Sequence, residues 1–289
     1  METSELLKKV RRIEIKTRGL SRNIFAGQYH SAFKGRGMAF SEVREYQYGD
    51  DIRDIDWNVT ARYIRPYVKV FEEERELTVM LMIDVSGSRD FGSVNVMKKE
   101  IITEIAATLA FSAIQNNDKI GVLFFSDKIE KFIPPQKGKK HILYIIRELI
   151  EFEPESKGTD VGAALKYLTN VLKKRCTAFI ISDFMDSKIT KDPITIANRK
   201  HDLVAIQIYD KRDTILPNIG LVKVLDAETG EEGWKDTSSA AVRYNYNQWW
   251  VKQKDKLDDI LKKGKVDSVS MTTDEDYVKA LIRMFSLRN

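Results

Sequence analysis

The chain has 289 residues, of which 43% are hydrophobic and 31% are charged, a balance typical of soluble globular proteins. Its apolar runs are far shorter than the about 20 residues that span a bilayer, and the first residues lack the apolar core of a signal peptide. Cys176 is the single cysteine, which excludes an intramolecular disulfide and a four-sulfur zinc site. These features predict a soluble, cytoplasmic protein.

Positive charge is concentrated at the start of the chain. The formal net charge is +5, and residues 1–36 carry nine Lys or Arg side chains against three Glu. A basic arm of this kind can contact nucleic acid or an anionic membrane surface. We favour a solvated helix and expect no nucleic-acid partner, because no aromatic residues are interleaved for stacking on bases. Four apolar residues recur at helical spacing and predict its buried stripe: Leu6, Leu7, Val10 and Ile13.

Residues 33–65 are dense in glycine, aromatic residues and opposite charges, without a long periodic run. We expect an irregular or β-rich module whose interleaved charges form a network that fastens it, with Phe40, Tyr46 and Trp57 as anchors. A docking surface for a partner is the alternative, because Arg and aromatic residues are also common at interface cores. The residues considered for either role are Arg36, Arg44, Asp50, Arg53, Asp54, Asp56, Trp57 and Arg62.

Strands and helices alternate in the next part of the chain. Near-continuous apolar runs predict strands that are covered on both faces, and helical patterns lie between them. The pattern is typical of a doubly wound α/β domain with a mostly parallel sheet. The four predicted strands are Leu77–Asp84, Lys119–Ser126, Thr177–Asp183 and Leu203–Tyr209. Helices are predicted from the apolar stripes at Ile101–Ala113, His141–Leu149 and Val161–Leu172.

The remaining elements predict a hairpin inserted at about residues 214–240 and a long helix over Tyr244–Lys263. Gly264 is expected as the left-handed residue after that helix. A last strand at Val266–Met271 and a helix from Tyr277 complete the pattern. We therefore expect two regions: residues 1–76, a basic helix plus the charged module, and residues 77–289, the α/β domain.

The strongest chemical signal lies where the first sheet strand ends, in Asp84-Val-Ser86-Gly-Ser88. The carboxyl ends of parallel strands build the ligand crevice of a doubly wound sheet. Thr159 precedes a predicted helix and Asp183 ends another strand, so both are expected at the same edge. Two carboxylates and three hydroxyls form a hard-oxygen set that suits Mg²⁺, with Mn²⁺ and Ca²⁺ as alternatives. Such a set leaves room for a partner's carboxylate.

These five residues, in this order, resemble the complete metal-ion-dependent adhesion site of a von Willebrand factor type A domain. The resemblance implies that Asp84, Ser86, Ser88, Thr159 and Asp183 hold the metal and that the domain binds a protein without catalysis. Asp160 either caps the following helix or holds a metal-bound water.

The charged module and parts of the sheet are similar to a bacterial family, domain of unknown function fifty-eight. That family usually occurs beside a MoxR-type AAA+ ATPase, so the resemblance implies an adaptor for such an ATPase acting on an unknown client. Many relatives carry transmembrane helices, and this sequence shows none. The segments that carry the similarity are residues 35–46, 49–58, 60–62, 71–76, 182–184 and 199–202.

Enzymatic alternatives fit less well. A Mg²⁺-dependent phosphohydrolase would use Asp84 as the nucleophile, but the expected general acid two residues later is Ser86, and no lysine stands out near the strand ends. Ser86 also lacks the Gly-x-Ser-x-Gly turn of serine hydrolases, and none of His30, His141 and His201 lies in a recognised catalytic motif. We therefore expect no catalytic residue.

Overall fold

The computed structural model describes residues 8, 10–14, 16–17, 38–63, 65–73, 77–92, 97–186, 188–225 and 230–288; for residues 38–41 and 71–73 it describes the backbone alone. The chain divides into two compact units. One is Phe33–Glu76, and the other combines Met1–Ala32 with Leu77–Asn289. We expected the N-terminal helix to group with the charged module, whereas here it groups with the sheet.

The charged module contains a two-stranded antiparallel sheet, β1 (Met38–Glu45) and β2 (Tyr67–Glu73). Between these strands lie a 3-10 turn, Ile52–Asp54, and a short helix, α1 (Trp57–Tyr63). We expected an irregular or β-rich module here, and the unit contains both strands and helical turns. Within the unit the strands are paired from Met38 opposite Glu73 to Glu45 opposite Tyr67.

The larger unit is built on a six-stranded sheet in the order β10-β7-β6-β3-β4-β5. Neighbouring strands are parallel except β4 and β5, which are antiparallel. The prediction of a mixed α/β fold with a mostly parallel sheet is confirmed. The strands are β3 (Thr78–Asp84), β4 (Lys119–Phe125), β5 (Ile129–Gln136), β6 (Thr177–Ser182), β7 (Asp202–Tyr209) and β10 (Asp267–Thr272).

Helices follow the strands, and a small hairpin is inserted after β7. The hairpin strands, β8 (Leu221–Leu225) and β9 (Glu232–Asp236), lie within the predicted insertion. The helices are α2 (Lys98–Gln115), α3 (Lys139–Glu151), α4 (Val161–Val171), α5 (Lys191–Lys200), α6 (Lys211–Thr214), α7 (Ala240–Gly264) and α8 (Tyr277–Ser286).

The central strands are apolar throughout because both faces of the sheet are covered. Every residue from Val79 to Ile83 is at most 1% exposed. One core cluster joins Met80 and Met82 of β3 to residues of α4, α5 and α7. Helix α2 also contacts β3 and packs against α3. Continuous burial of this kind explains why the strands lack the polar alternation of a half-exposed sheet.

Strand β5 was not predicted. It contains charged residues and the pair Pro134-Pro135, which are typical of a loop. An edge strand tolerates both, because one side of its backbone needs no sheet partner. Gly121 of β4 permits the close approach of β5: a Cβ atom there would lie 2.7 Å from the Ile133 carbonyl oxygen.

The end of α7 corrects the expected role of Gly264. The left-handed residue is Lys265, with φ of 56°, and Gly264 belongs to the helix. Glycine is required there for a different reason, since an added Cβ would lie 2.8 Å from Cγ2 of Ile194. Gly264 therefore allows α7 to pack closely against α5.

The N-terminal segment is helical where it is described, at residues 8, 10–14 and 16–17. Val10 is buried, as the predicted stripe required, while Leu6 and Leu7 lie outside the described residues. Two ion pairs connect the segment to the sheet unit: Lys16 with Glu104 at 2.6 Å, and Glu14 with Lys139 at 2.6 Å. Part of the charge of the N-terminal segment is thus neutralised by ion pairs with the sheet unit.

Candidate metal centre at the carboxyl edge of the sheet

Asp84 ends β3 at the centre of the sheet and is 3% exposed. Its Oδ1 accepts a hydrogen bond from the Ser86 N–H at 2.9 Å, and its Oδ2 accepts one from the Ser182 hydroxyl at 2.5 Å. Burial, followed by the negative charge of Asp183, raises the pKa of Asp84 to about 7, and the hydroxyl partners only partly oppose this. Asp84 is therefore a buried carboxylate whose charge is poorly compensated by these uncharged partners.

Ser86 and Ser88 lie on the loop that follows Asp84. Residues Gly87–Asp90 form a 3-10 turn, and this turn brings the two serine hydroxyl oxygens to 3.1 Å from each other. The Ser88 hydroxyl also lies close enough to the Asp183 carboxylate to help lower the pKa of that group. The loop therefore holds both hydroxyls between the two carboxylates.

Asp183 directly follows β6, the neighbour of β3 in the sheet, and is 5% exposed. Its Oδ1 accepts the Met185 N–H at 3.2 Å, and its Oδ2 lies 3.0 Å from the Lys98 ammonium. Burial opposes ionisation, but Lys98, Ser88 and Met185 together hold the pKa of Asp183 below its ordinary value. Asp84, Ser86, Ser88 and Asp183 are thus brought together as predicted.

Thr159 is 5% exposed. The residues before and after it are hydrogen-bonded to the carboxyl edge of the sheet, where the other four residues lie. The Gly87 N–H donates to the Lys157 carbonyl at 2.9 Å, and the Asp160 N–H donates to the Ser126 carbonyl at 3.0 Å, just beyond β4. These bonds place the Thr159 loop beside the serine loop. Asp160 itself caps α4, accepting the Ala163 N–H at 2.7 Å.

Lys98 is the functional candidate that sequence reasoning missed. It is the first residue of α2, is 3% exposed, and lies 3.0 Å from Asp183 and 2.7 Å from Asp213. Burial disfavours its charge, but the two carboxylates more than offset this and raise the pKa of Lys98. No lysine stood out near the strand ends in the sequence, but the structure places Lys98 there. A lysine ten residues beyond Ser88, at the start of a helix, was the available signal.

The donor set fits a small divalent cation in its chemistry. The five proposed ligands offer hard oxygens alone. The Lys98 ammonium lies beside Asp183, and the buried guanidinium of Arg89, which bonds the Phe152 carbonyl, interacts with the charge of Asp84. No group of three or more His, Cys, Asp or Glu side chains in the described part of the chain is arranged to hold a metal. A cation here would therefore depend on the hydroxyls of Ser86, Ser88 and Thr159 as much as on Asp84 and Asp183.

Some of the predicted residues of the charged module form a local network, and others are exposed. Arg44 binds Asp50 through two hydrogen bonds of 2.8 and 2.7 Å, and Asp56 caps α1 through the Asn58 N–H at 2.9 Å. These contacts agree with a local network of charges. Trp57 is not an anchor, because as the first residue of α1 it is 67% exposed. Arg53, Asp54 and Arg62 are also exposed, and Arg36 lies outside the described residues.

Comparison with known proteins shows to which family the chain belongs. The model of the family described as "Protein of unknown function DUF58" matches residues 42–256, more than half of the chain. The chain belongs to this family. A relative from Mycobacterium bovis, named "Uncharacterized protein Mb1516", is 29% identical over 232 residues, covering 80% of this chain and 73% of the relative.

Two solved structures share the fold of this DUF58 chain. The conserved hypothetical protein BatB from Bacteroides thetaiotaomicron is 16% identical and has a TM-score of 0.50, covering 73% of this chain and 98% of that one. An aerotolerance-related membrane protein from Bacteroides fragilis is 15% identical with a TM-score of 0.51, covering 73% and 99%. Within the described part of this chain, no helix combines the length and the apolar character needed to cross a membrane.

Proposed function

We propose that this DUF58 chain is a non-catalytic protein-interaction module that binds its partner through Mg²⁺. The cation would be held by Asp84, Ser86, Ser88, Thr159 and Asp183, and a carboxylate of the partner would complete its coordination. The observation that carries this proposal is that Asp84, Ser86, Ser88 and Asp183 lie together at one buried edge, where the hydrogen-bond partners of Asp84 are the uncharged Ser86 and Ser182. Hard oxygens and buried negative charge favour a small divalent cation.

The partner we propose is a MoxR-type AAA+ ATPase in the cytoplasm, for which the chain would act as an adaptor that presents a client protein. This follows from the family resemblance and from the lack of the general acid that a phosphohydrolase would place two residues after Asp84. Position 86 carries a serine, which does not protonate a leaving group at neutral pH.

The test is capture of the purified ATPase by the immobilised chain, with Mg²⁺ and with chelator. Wild type should retain the ATPase in Mg²⁺ and lose it in chelator, and Asp84→Asn and Ser86→Ala should lose it in both. Ser126→Ala is the matched control, because Ser126 is a fully buried hydroxyl just beyond β4 that bonds Glu130 at 2.7 Å instead. Equal capture by wild type and the Asp84 variant would rule out the proposal.

Lys98 supports a second candidate function, a Mg²⁺-dependent phosphohydrolase with Asp84 as the nucleophile. An ammonium close to the nucleophile's edge of the sheet can balance the charge of a phosphate group. Hydrolysis of a generic phosphate monoester, lost in Asp84→Asn, would support this candidate. Absence of turnover together with Mg²⁺-dependent capture would support the interaction module.

A further inference from the structure

The Lys98 ammonium is an internal cation at the proposed metal centre. It is 3% exposed and lies at the N-terminus of α2, where the helix dipole disfavours positive charge. Asp183 and Asp213 compensate for this position, at 3.0 and 2.7 Å. The lysine is therefore held in place by carboxylates, one of which belongs to the proposed metal ligands.

The Asp183 carboxylate has little capacity to coordinate a cation while Lys98 is bound to it. Its Oδ2 faces the ammonium and its Oδ1 accepts the Met185 N–H, so each oxygen already has a partner. A divalent cation that binds Asp183 would also be repelled by an ammonium on the same group. Lys98 and the cation therefore make competing demands on one carboxylate.

We propose that Lys98 is a tethered competitor that sets the affinity of the centre for divalent cations, withdrawing from Asp183 to Asp213 when a cation binds. This inference rests on the proposed metal centre. It adds to it a regulatory residue outside the five oxygen donors.

Asp213 makes the withdrawal feasible. It already lies 2.7 Å from the Lys98 ammonium, so a lysine released by Asp183 keeps a charged partner in the interior. Asp213 is itself fixed, because its Oδ2 accepts the Asp210 N–H at 2.8 Å in the capping box of α6. Without such a partner, release would leave a buried ammonium unpaired, and the lysine would stay on Asp183.

Two substitutions should consequently change the affinity in opposite directions. Lys98→Met removes the competitor and should tighten cation binding by about tenfold or more. Asp213→Asn removes the second carboxylate, confines the ammonium to Asp183 and should weaken binding by at least about threefold. The asparagine carbonyl can still accept the Asp210 N–H, so the cap of α6 is kept.

The experiment is a Mn²⁺ titration of the full chain followed by electron paramagnetic resonance of the free ion. Circular dichroism verifies the fold of each variant. Lys131→Met is the matched control: Lys131 lies on β5 in a 2.7 Å ion pair with Glu148, so its loss removes one charge without touching the centre. Lys98→Gln, which has no charge but can still donate a hydrogen bond, replaces the methionine variant if that one does not fold.

Opposite shifts in the two variants, with Lys131→Met unchanged, support the competitor. Binding that is Asp84-dependent in wild type but no tighter in Lys98→Met overturns this inference and leaves the proposed function intact. Binding seen only in Lys98→Met supports the competitor in its strongest form. If neither wild type nor Lys98→Met binds Mn²⁺, both the inference and the proposed metal-dependent function fail.

Discussion

The hydroxyl group of Ser182 donates a hydrogen bond of 2.5 Å to Oδ2 of Asp84. This bond joins the carboxyl ends of the neighbouring strands β6 and β3. The same Ser182 oxygen accepts the Phe184 N–H at 2.8 Å, where the backbone takes a left-handed conformation with φ of 57°. One side chain therefore orients Asp84 and shapes the turn that carries Asp183.

Ser182→Ala should destabilise the protein by about 1–3 kcal/mol, because Asp84 and the Phe184 N–H would each lose a buried hydrogen-bond partner. Urea unfolding followed by circular dichroism measures this loss. Ser238→Ala serves as the control, since its exposed hydroxyl bonds Asp236 and its removal should change stability by no more than about 0.5 kcal/mol. A loss in Ser182→Ala no larger than in this control contradicts the role assigned to Ser182.

His201 should make the protein less stable in mild acid. It is fully buried, with Nδ1 3.3 Å from the Cys176 sulfur, and burial followed by the charges of Lys200 and Arg175 lowers its pKa from 6.5 to about 4. Between these pH values the unfolded chain binds a proton that the folded chain does not, so stability falls as pH falls through this window.

The size of this effect is at most about 3 kcal/mol, and it is complete near pH 4. The measurement is the difference in unfolding free energy between wild type and His201→Gln, taken every half pH unit from 8 to 4. The difference should be constant above about pH 7 and should shift against wild type below it. A difference that stays constant over the whole range contradicts a buried neutral histidine.

Gly264→Ala should cost about 1–3 kcal/mol, because the new methyl group would lie 2.8 Å from Cγ2 of Ile194. Ile194→Ala removes that atom and leaves space for the methyl group. The double variant should therefore lose clearly less stability than the sum of the two single losses, as measured by thermal or urea unfolding. Strict additivity would show that the two helices do not meet as closely as described.

Arg44→Gln should raise the pKa of Asp50 within the charged module. The hydrogen bonds from Arg44, followed by the Gln47 N–H, hold the pKa of the Asp50 carboxyl below its ordinary value. Titration of the Asp50 side-chain carbon by nuclear magnetic resonance measures the change. Arg62→Gln, an exposed change in the same module, should leave the Asp50 titration as in wild type.

The fold was predictable where burial of an element requires a recognisable pattern of apolar residues in the local sequence. The central strands are recognisable because a parallel sheet covered on both faces needs an unbroken apolar run, as in Val79–Ile83. Strand β5 was not predictable in the same way, since its prolines and charges are acceptable only because it lies at an edge. The role of Gly264 likewise depends on Ile194, seventy residues away in the chain.

In the candidate site, too, residues with a local sequence signal were predictable and a residue defined by distant contacts was not. Asp84, Ser86 and Ser88 lie in one short segment, and Asp183 directly follows the recognisable strand β6. The expected arrangement of strand ends was therefore enough to predict that these residues lie close together. Lys98 escaped prediction because its meaning depends on Asp183 and Asp213, residues that come together only once the sheet is assembled. Pairing across such distances leaves no periodic signal in the sequence, and the position of Lys98 at the start of a helix does not by itself identify its partners.

The hydrogen bond from Gly87 to the carbonyl of Lys157 ties together two loops that are seventy residues apart in the chain. An insertion in either loop would strain the other, so neither can change its length independently. Related proteins should therefore change the lengths of these two loops together, whereas the hairpin of β8 and β9 can change its length without affecting either loop.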